Sequence, residues 1–166
     1  MDRVLIILLY FTLLLVMYID INKKFIPNFI NIFILILAIF YSALKEPLNF
    51  FIAISTYSLP LILIYGYVSD FLKKEVIGFG DIKLIISLSA FIYQPTINLF
   101  LQIYIFYLII FVSASIYILF LFVYKFFKNK NWNLKNRELA FSPFIIISFT
   151  INFIFNLNSN YWEFFL

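Results

Sequence analysis

The run "VLIILLYFTLLLVMYI", Val4 to Ile19, carries no charge from end to end. Similar runs recur along most of the chain. In a lipid layer no water reaches the backbone, so every amide and carbonyl must be paired within the segment, and a helix is the local way to do it. With 65% hydrophobic residues and a mean hydropathy of +1.05, the chain lies outside the range of soluble proteins. The expected fold class is all-α: a polytopic membrane protein, a bundle of about six transmembrane helices, in one domain over residues 1–166. The lipid bilayer is then its first partner.

The first span is longer than the core of a secretion signal, and no small-x-small cleavage site follows it. A second runs from about Asn28 to Leu44, a third from Leu48 to Val68, and a fourth starts at Asp81. The fifth, Ile97 to Tyr124, is the longest and is expected to tilt or protrude. A sixth covers about Leu139 to Leu157, followed by "NSNYWEFFL", whose aromatics suit an interface. Charge orients these spans. Lys23, Lys24, Lys73, Lys74, Lys83, Lys125, Lys128, Lys130, Lys135 and Arg137 fall on one side, Arg3 and Lys45 on the other. Ten cations against two assign the first set to the cytoplasm. The basic segment "KFFKNKNWNLKNRE" reads as a solvated orienting loop, and no nucleic-acid partner is expected.

The chain has no cysteine and no histidine. That excludes a thiol nucleophile, an imidazole base and a Cys/His metal site, leaving carboxylate chemistry or a Ser/Lys pair. Neither a metal nor a cofactor is expected. Six of the eight acids, Asp2, Glu46, Asp70, Glu75, Glu138 and Glu163, fall in termini or loops, where water solvates them. Asp20 and Asp81 differ. A helix from Val4 to Ile19 is about 24 Å long, so an apolar layer of about 30 Å reaches Asp20. The fourth span is shorter still, with only Asp81 to Tyr93 before the Gln94-Pro95 break. Either it continues past the proline or "IGFGD" dips below the surface. An acid within the apolar layer is costly without a wet cavity or a partner, which makes both positions functional candidates. Structural alternatives are a helix N-cap for Asp81 and an interfacial acid beside Lys23 and Lys24 for Asp20. Two of the three glycines, Gly78 and Gly80, stand beside Asp81 and admit close backbone approach.

"YIDINKKFIPN", Tyr18 to Asn28, and "KEVIGFGDIKL", Lys74 to Leu84, together resemble the type IV prepilin peptidases, the bacterial branch of the GxGD intramembrane aspartic peptidases. In that family one aspartate closes a span ahead of a basic loop and an Ile/Leu-Pro-Asn/Asp step. The second follows Gly-x-Gly and precedes a lysine. Asp20 and Asp81 fall on the two aspartates, Pro27 and Asn28 on the proline step, and Lys83 on the lysine. "AFSPF", Ala140 to Phe144, is similar to a Pro-Phe-Gly-Pro motif and supplies Pro143, with Ala140 and Ser142 replacing the first proline and the glycine. Full-length members also carry a cytosolic loop with paired CxxC motifs tied to N-methylation. The cysteine-free chain resembles the short, peptidase-only form.

The resemblance implies an aspartic endopeptidase with Asp20 and Asp81 catalytic and Gly78, Gly80, Lys83, Pro27, Asn28 and Pro143 supporting or substrate-binding. Two neighbouring carboxylates repel, so one keeps a proton while the other takes one from water. The implied partners are prepilin-like precursors of pilus or secretion systems, cut at the cytoplasmic face of the bacterial inner membrane. Two other readings compete. Lys83 and Ser87 are four apart and share a helix face, as a Ser/Lys dyad requires. A small six-span transport or substrate-binding subunit with an acidic site is the non-enzyme alternative.

Overall fold

The computed structural model describes residues 2–43, 46–73, 75, 77–128 and 139–157. Lys45, Lys74, Lys130, Lys135 and Arg137 of the charge pattern and the tail 158–166 lie outside these residues. Among the described residues 86% are helical and none forms a strand. Six helical runs account for them. The first is α1 (Asp2–Lys23); the second is α2 (Asn28–Ala38), prolonged by a π-helical turn over Ile39–Ala43. The third joins α3 (Pro47–Leu63), a π-turn over Ile64–Val68 and α4 (Ser69–Leu72). Next come α5 (Phe79–Ile92), α6 (Leu99–Phe127) and α7 (Ser142–Leu157). Three segments, Arg3–Lys23, Pro47–Leu72 and Leu99–Tyr124, are long and apolar enough to cross a membrane; the apolar segments Asn28–Ser42 and Ser142–Phe155 are shorter.

The surface matches lipid. Phe29, Phe100 and Phe127 are 71%, 83% and 82% exposed, a display that in water would mark an aggregation surface. The protein is an all-α membrane bundle. Its third run extends to Leu72, beyond the expected end at Val68, and its last begins at Ser142, later than the expected start at Leu139. Pro143 explains that later start: near a helix N-terminus it gives up an amide with no intrahelical acceptor, whereas deeper inside it would break the ladder.

The α5 helix is the buried centre of the bundle. Residues on all its sides, among them Ile82, Leu84, Ile85, Leu88 and Phe91, are buried, as expected of a helix apolar all round. It packs against α2, α3 and α7. At 14 residues it is only about 21 Å long. Helices around it insulate it from lipid, so its length need not match the bilayer.

Of the two sequence options for this span, continuation past Pro95 is ruled out, because α5 ends at Ile92. The turn that follows is tied by a buried glutamine of α6. Gln102 donates through Nε2 to the carbonyls of Gln94 (2.7 Å) and Ile97 (2.9 Å), and its Oε1 accepts from the Gln94 amide (3.0 Å). Non-helical backbone at membrane depth needs this kind of internal pairing. Gln102→Leu keeps the volume and removes these three bonds together with the one that Oε1 accepts from the Tyr57 hydroxyl at 3.5 Å; thermal unfolding in detergent is expected to show a loss of about 2–4 kcal/mol.

Candidate active site

The α1 helix closes one turn after Asp20. The Lys24 amide donates to the Asp20 carbonyl at 2.9 Å, and Lys24 adopts the left-handed conformation, φ 55°. That conformation costs a lysine about 1–2 kcal/mol and turns the chain sharply. Pro27, extended at φ −63° and ψ 133°, then caps α2, which starts at Asn28. Its carbonyl accepts from the amides of Ile30 and Asn31. The reversal leaves the Asp20 side chain 5% exposed.

Its hydrogen-bond donor comes from the far end of the chain. The Ser142 amide, at the start of α7, donates to Asp20 Oδ2 at 3.0 Å. First-turn amides have no acceptor inside their own helix, and the helix dipole is positive there, so a carboxylate is a natural occupant. Pro143 is the next residue, which places it beside this contact without supplying a donor.

Asp81 reaches the same place from α5. Gly78 takes the N-cap position, extended at φ −64° and ψ 133°, and the Asp81 amide donates back to the Gly78 carbonyl at 3.0 Å. Asp81 therefore stands in the first turn and is not the N-cap of α5. Its Oδ1 is buried without a hydrogen-bond partner among the described residues. Gly80, the residue before it, packs against Ile26 of the loop that follows Asp20. The two acids singled out by the sequence are thus brought together from helices well separated along the chain.

Space explains both glycines. Neither has positive φ, so conformational freedom is not what they supply. A Cβ on Gly78 would stand 3.0 Å from Asp81 Oδ2, and one on Gly80 would stand 3.3 Å from the Ile26 Cβ. The first lets the carboxylate fold back over the helix entry. The second lets α5 press against the loop between α1 and α2.

Lys83 is held by α2. Its Nζ donates to Asn28 Oδ1 at 2.8 Å and lies 4.9 Å from the centre of the Phe79 ring. Asn31 Nδ2 donates to the Gly80 carbonyl at 3.3 Å, a second tie between α2 and α5. Ser87 spends its hydroxyl on the Leu84 carbonyl at 2.9 Å. With Lys83 bound to Asn28 and Ser87 bound within its own helix, the Ser/Lys dyad has no geometric basis.

Between α2 and α5 lies a groove of about 370 Å³. Asn28, Asn31 and Lys83 make it polar; Ile32, Leu35 and Ile86 make it apolar. Asn31 and Ser142 were not among the residues selected from sequence. A lone asparagine in "NFINIFILILA" was a usable signal for the first. For Ser142 only the altered last motif was.

Residues 7–124, which include both aspartates and the Gly-x-Gly step, match the type IV leader peptidase family. No curated protein and no solved structure matches the chain. The family match covers well over half of the 166 residues, and the bundle of apolar helices is the setting that a membrane peptidase of aspartic type requires. The chain belongs to the type IV leader peptidase family.

Proposed function

We propose that the protein is an aspartic endopeptidase that removes the leader from type IV prepilin or prepilin-like precursors, with Asp20 and Asp81 as its catalytic pair. The reading is carried by one observation: Asp20 on α1, buried, and Asp81 on α5, with a buried oxygen that has no partner among the described residues, stand at the same end of the bundle, where α5 packs through Gly80 against Ile26 of the loop that follows Asp20. Family membership takes precedence over the transport reading.

In the proposed reaction one carboxylate takes a proton from water as the water oxygen bonds to the peptide carbonyl carbon. The other gives its proton to the amine as the C–N bond breaks. The Ser142 amide, donating to Asp20 Oδ2, holds that carboxyl group in place while protons move. Proton exchange of this kind calls for no cofactor. Gly78 gives the Asp81 carboxylate its space. Gly80, Pro27, Asn28 and Lys83 fix α5 against α2, and Pro143 sets the start of α7. The groove between α2 and α5, mostly apolar with Asn28, Asn31 and Lys83 on its lining, suits the apolar helix of such a substrate.

The residues 1–166 form one transmembrane domain in this reading, set in the bacterial inner membrane. The charge asymmetry supports a cytoplasmic position for the aspartates and for cleavage. No cysteine occurs in residues 1–166, so the activity proposed for them is the peptidase step without N-methylation.

One host strain lacking other prepilin peptidases tests these points together. Co-expressed with a precursor bearing a basic leader, the protein is expected to yield a shortened product with an unmethylated N-terminus, read by mass spectrometry. Single cysteines at the exposed positions Asn22 and Glu46 report topology, with label from outside intact cells expected at Glu46 alone. Uncut precursor overturns the activity, and outside label at Asn22 overturns the cytoplasmic placement.

A further inference from the structure

Three buried side-chain atoms have no hydrogen-bond partner among the described residues: Asn31 Oδ1, Asp81 Oδ1 and Ser142 Oγ. Each belongs to a residue of the proposed pair or to one bonded beside it. Asp81 is itself one of the pair, Asn31 holds the carbonyl of Gly80, and Ser142 holds Asp20. Buried polar groups are normally paired, and a cluster of unpaired ones marks where something else is bound. Of the three, Ser142 Oγ is the most informative, because Ser142 is 0% exposed and its hydroxyl can both donate and accept.

Its position is bounded by covalent geometry. The Ser142 amide nitrogen is 3.0 Å from Asp20 Oδ2. Three bonds of about 1.5 Å keep Oγ within about 4 Å of that nitrogen. Oγ therefore lies within about 7 Å of Asp20 Oδ2. One water bridges two partners up to about 5–6 Å apart, so most of the allowed positions of Oγ lie within reach of a water bonded to that carboxylate.

We propose that the Ser142 hydroxyl is a ligand of the attacking water, and so a catalytic residue of this chain. The inference rests on the reading of Asp20 and Asp81 as an aspartic pair. The serine oxygen accepts one hydrogen of the water while a carboxylate faces the other. This aims a lone pair of the water oxygen at the peptide carbonyl. When that oxygen bonds to carbon, the departing proton goes to the carboxylate and the serine keeps its own. The backbone amide of residue 142 orients Asp20 whatever the side chain. The hydroxyl is a separate contribution, and a glycine there, the usual residue of the resembled motif, would lack it. Residue 142 also lies outside the matched segment 7–124.

The test uses purified full-length protein as wild type, Ser142→Ala, Ser142→Gly and Asp81→Asn. Two readouts are taken: kcat and KM on a prepilin precursor, and binding of a peptide whose scissile amide is replaced by a secondary alcohol, compared with its methylene counterpart. Both Ser142 variants are expected to lose about 10- to 100-fold in kcat with KM unchanged. Both should lose the wild-type preference for the alcohol, at an equal or higher unfolding temperature, since an unpaired buried hydroxyl does not stabilise the fold. A structural role for Ser142 predicts a lower unfolding temperature in step with activity, and that result overturns the proposal. So does full kcat in either variant, or an undiminished preference for the alcohol. Wild type that cuts no prepilin yet prefers the alcohol through Ser142 overturns the substrate assignment and leaves the water ligand standing. Wild type with neither property overturns both.

Discussion

Asp20→Asn and Asp81→Asn are each expected to lower precursor cleavage by at least about 10³-fold, because an amide of the same size cannot exchange a proton during the reaction. The fold is expected to survive both. At position 20 the new amide oxygen still accepts the Ser142 amide, which now donates to Asp20 Oδ2 at 3.0 Å. At position 81 the substitution changes a carboxyl group whose buried Oδ1 has no hydrogen-bond partner among the described residues, so that atom loses no bond and the unfolding temperature in detergent should hold. Asp70→Asn, in α4, serves as the control and should cleave normally. Near wild-type turnover by either dyad variant would end the two-aspartate mechanism.

Gly78→Ala and Gly80→Ala should fail in different ways, although only Phe79 separates them. An alanine methyl at position 78 meets the Asp81 carboxylate at 3.0 Å. That side-chain end can swing aside at little cost to the fold, but a displacement of about 1 Å at a reacting group costs about 10²-fold in rate. Gly78→Ala is therefore expected to cut kcat by about that factor and leave the unfolding temperature alone. At position 80 the methyl meets the Ile26 Cβ at 3.3 Å, close to the main chain of a tight loop. Crowding of this kind costs about 1–3 kcal/mol, so Gly80→Ala should lower the unfolding temperature, with activity falling as the fold loosens. Full cleavage by Gly78→Ala would show that Asp81 works from a different position.

The six helices were legible because lipid leaves an apolar chain few other ways to satisfy its backbone, and the breaks at Lys24, Glu46, Lys73 to Gly78, Pro95 and the basic segment from Lys125 interrupt the apolar runs. The two acids stood out because a carboxylate beside so many apolar residues carries a cost that needs a reason. What stayed hidden depended on contacts between distant segments. Asp81 followed by an apolar helix looks like a cap, but the cap is set by where the chain enters, and Gly78 is extended there. Lys83 is two positions from Asp81, yet its ammonium is taken by Asn28, 55 positions earlier. Nothing local to "AFSPF" announces that its central amide serves a carboxylate on the first helix.

That last contact spans 122 positions and gives the site a timetable. Chains elongate at about 5–20 residues per second, so α1 waits several seconds in the membrane before the donor for Asp20 has even been synthesised. Throughout that interval the acid must rely on water at the interface. A nascent chain that stalls after α6 has inserted both aspartates but lacks the amide that orients one of them. The hydrogen bond that orients Asp20 thus arrives only with the final helix, and a chain truncated before Ser142 is expected to hold both aspartates without it.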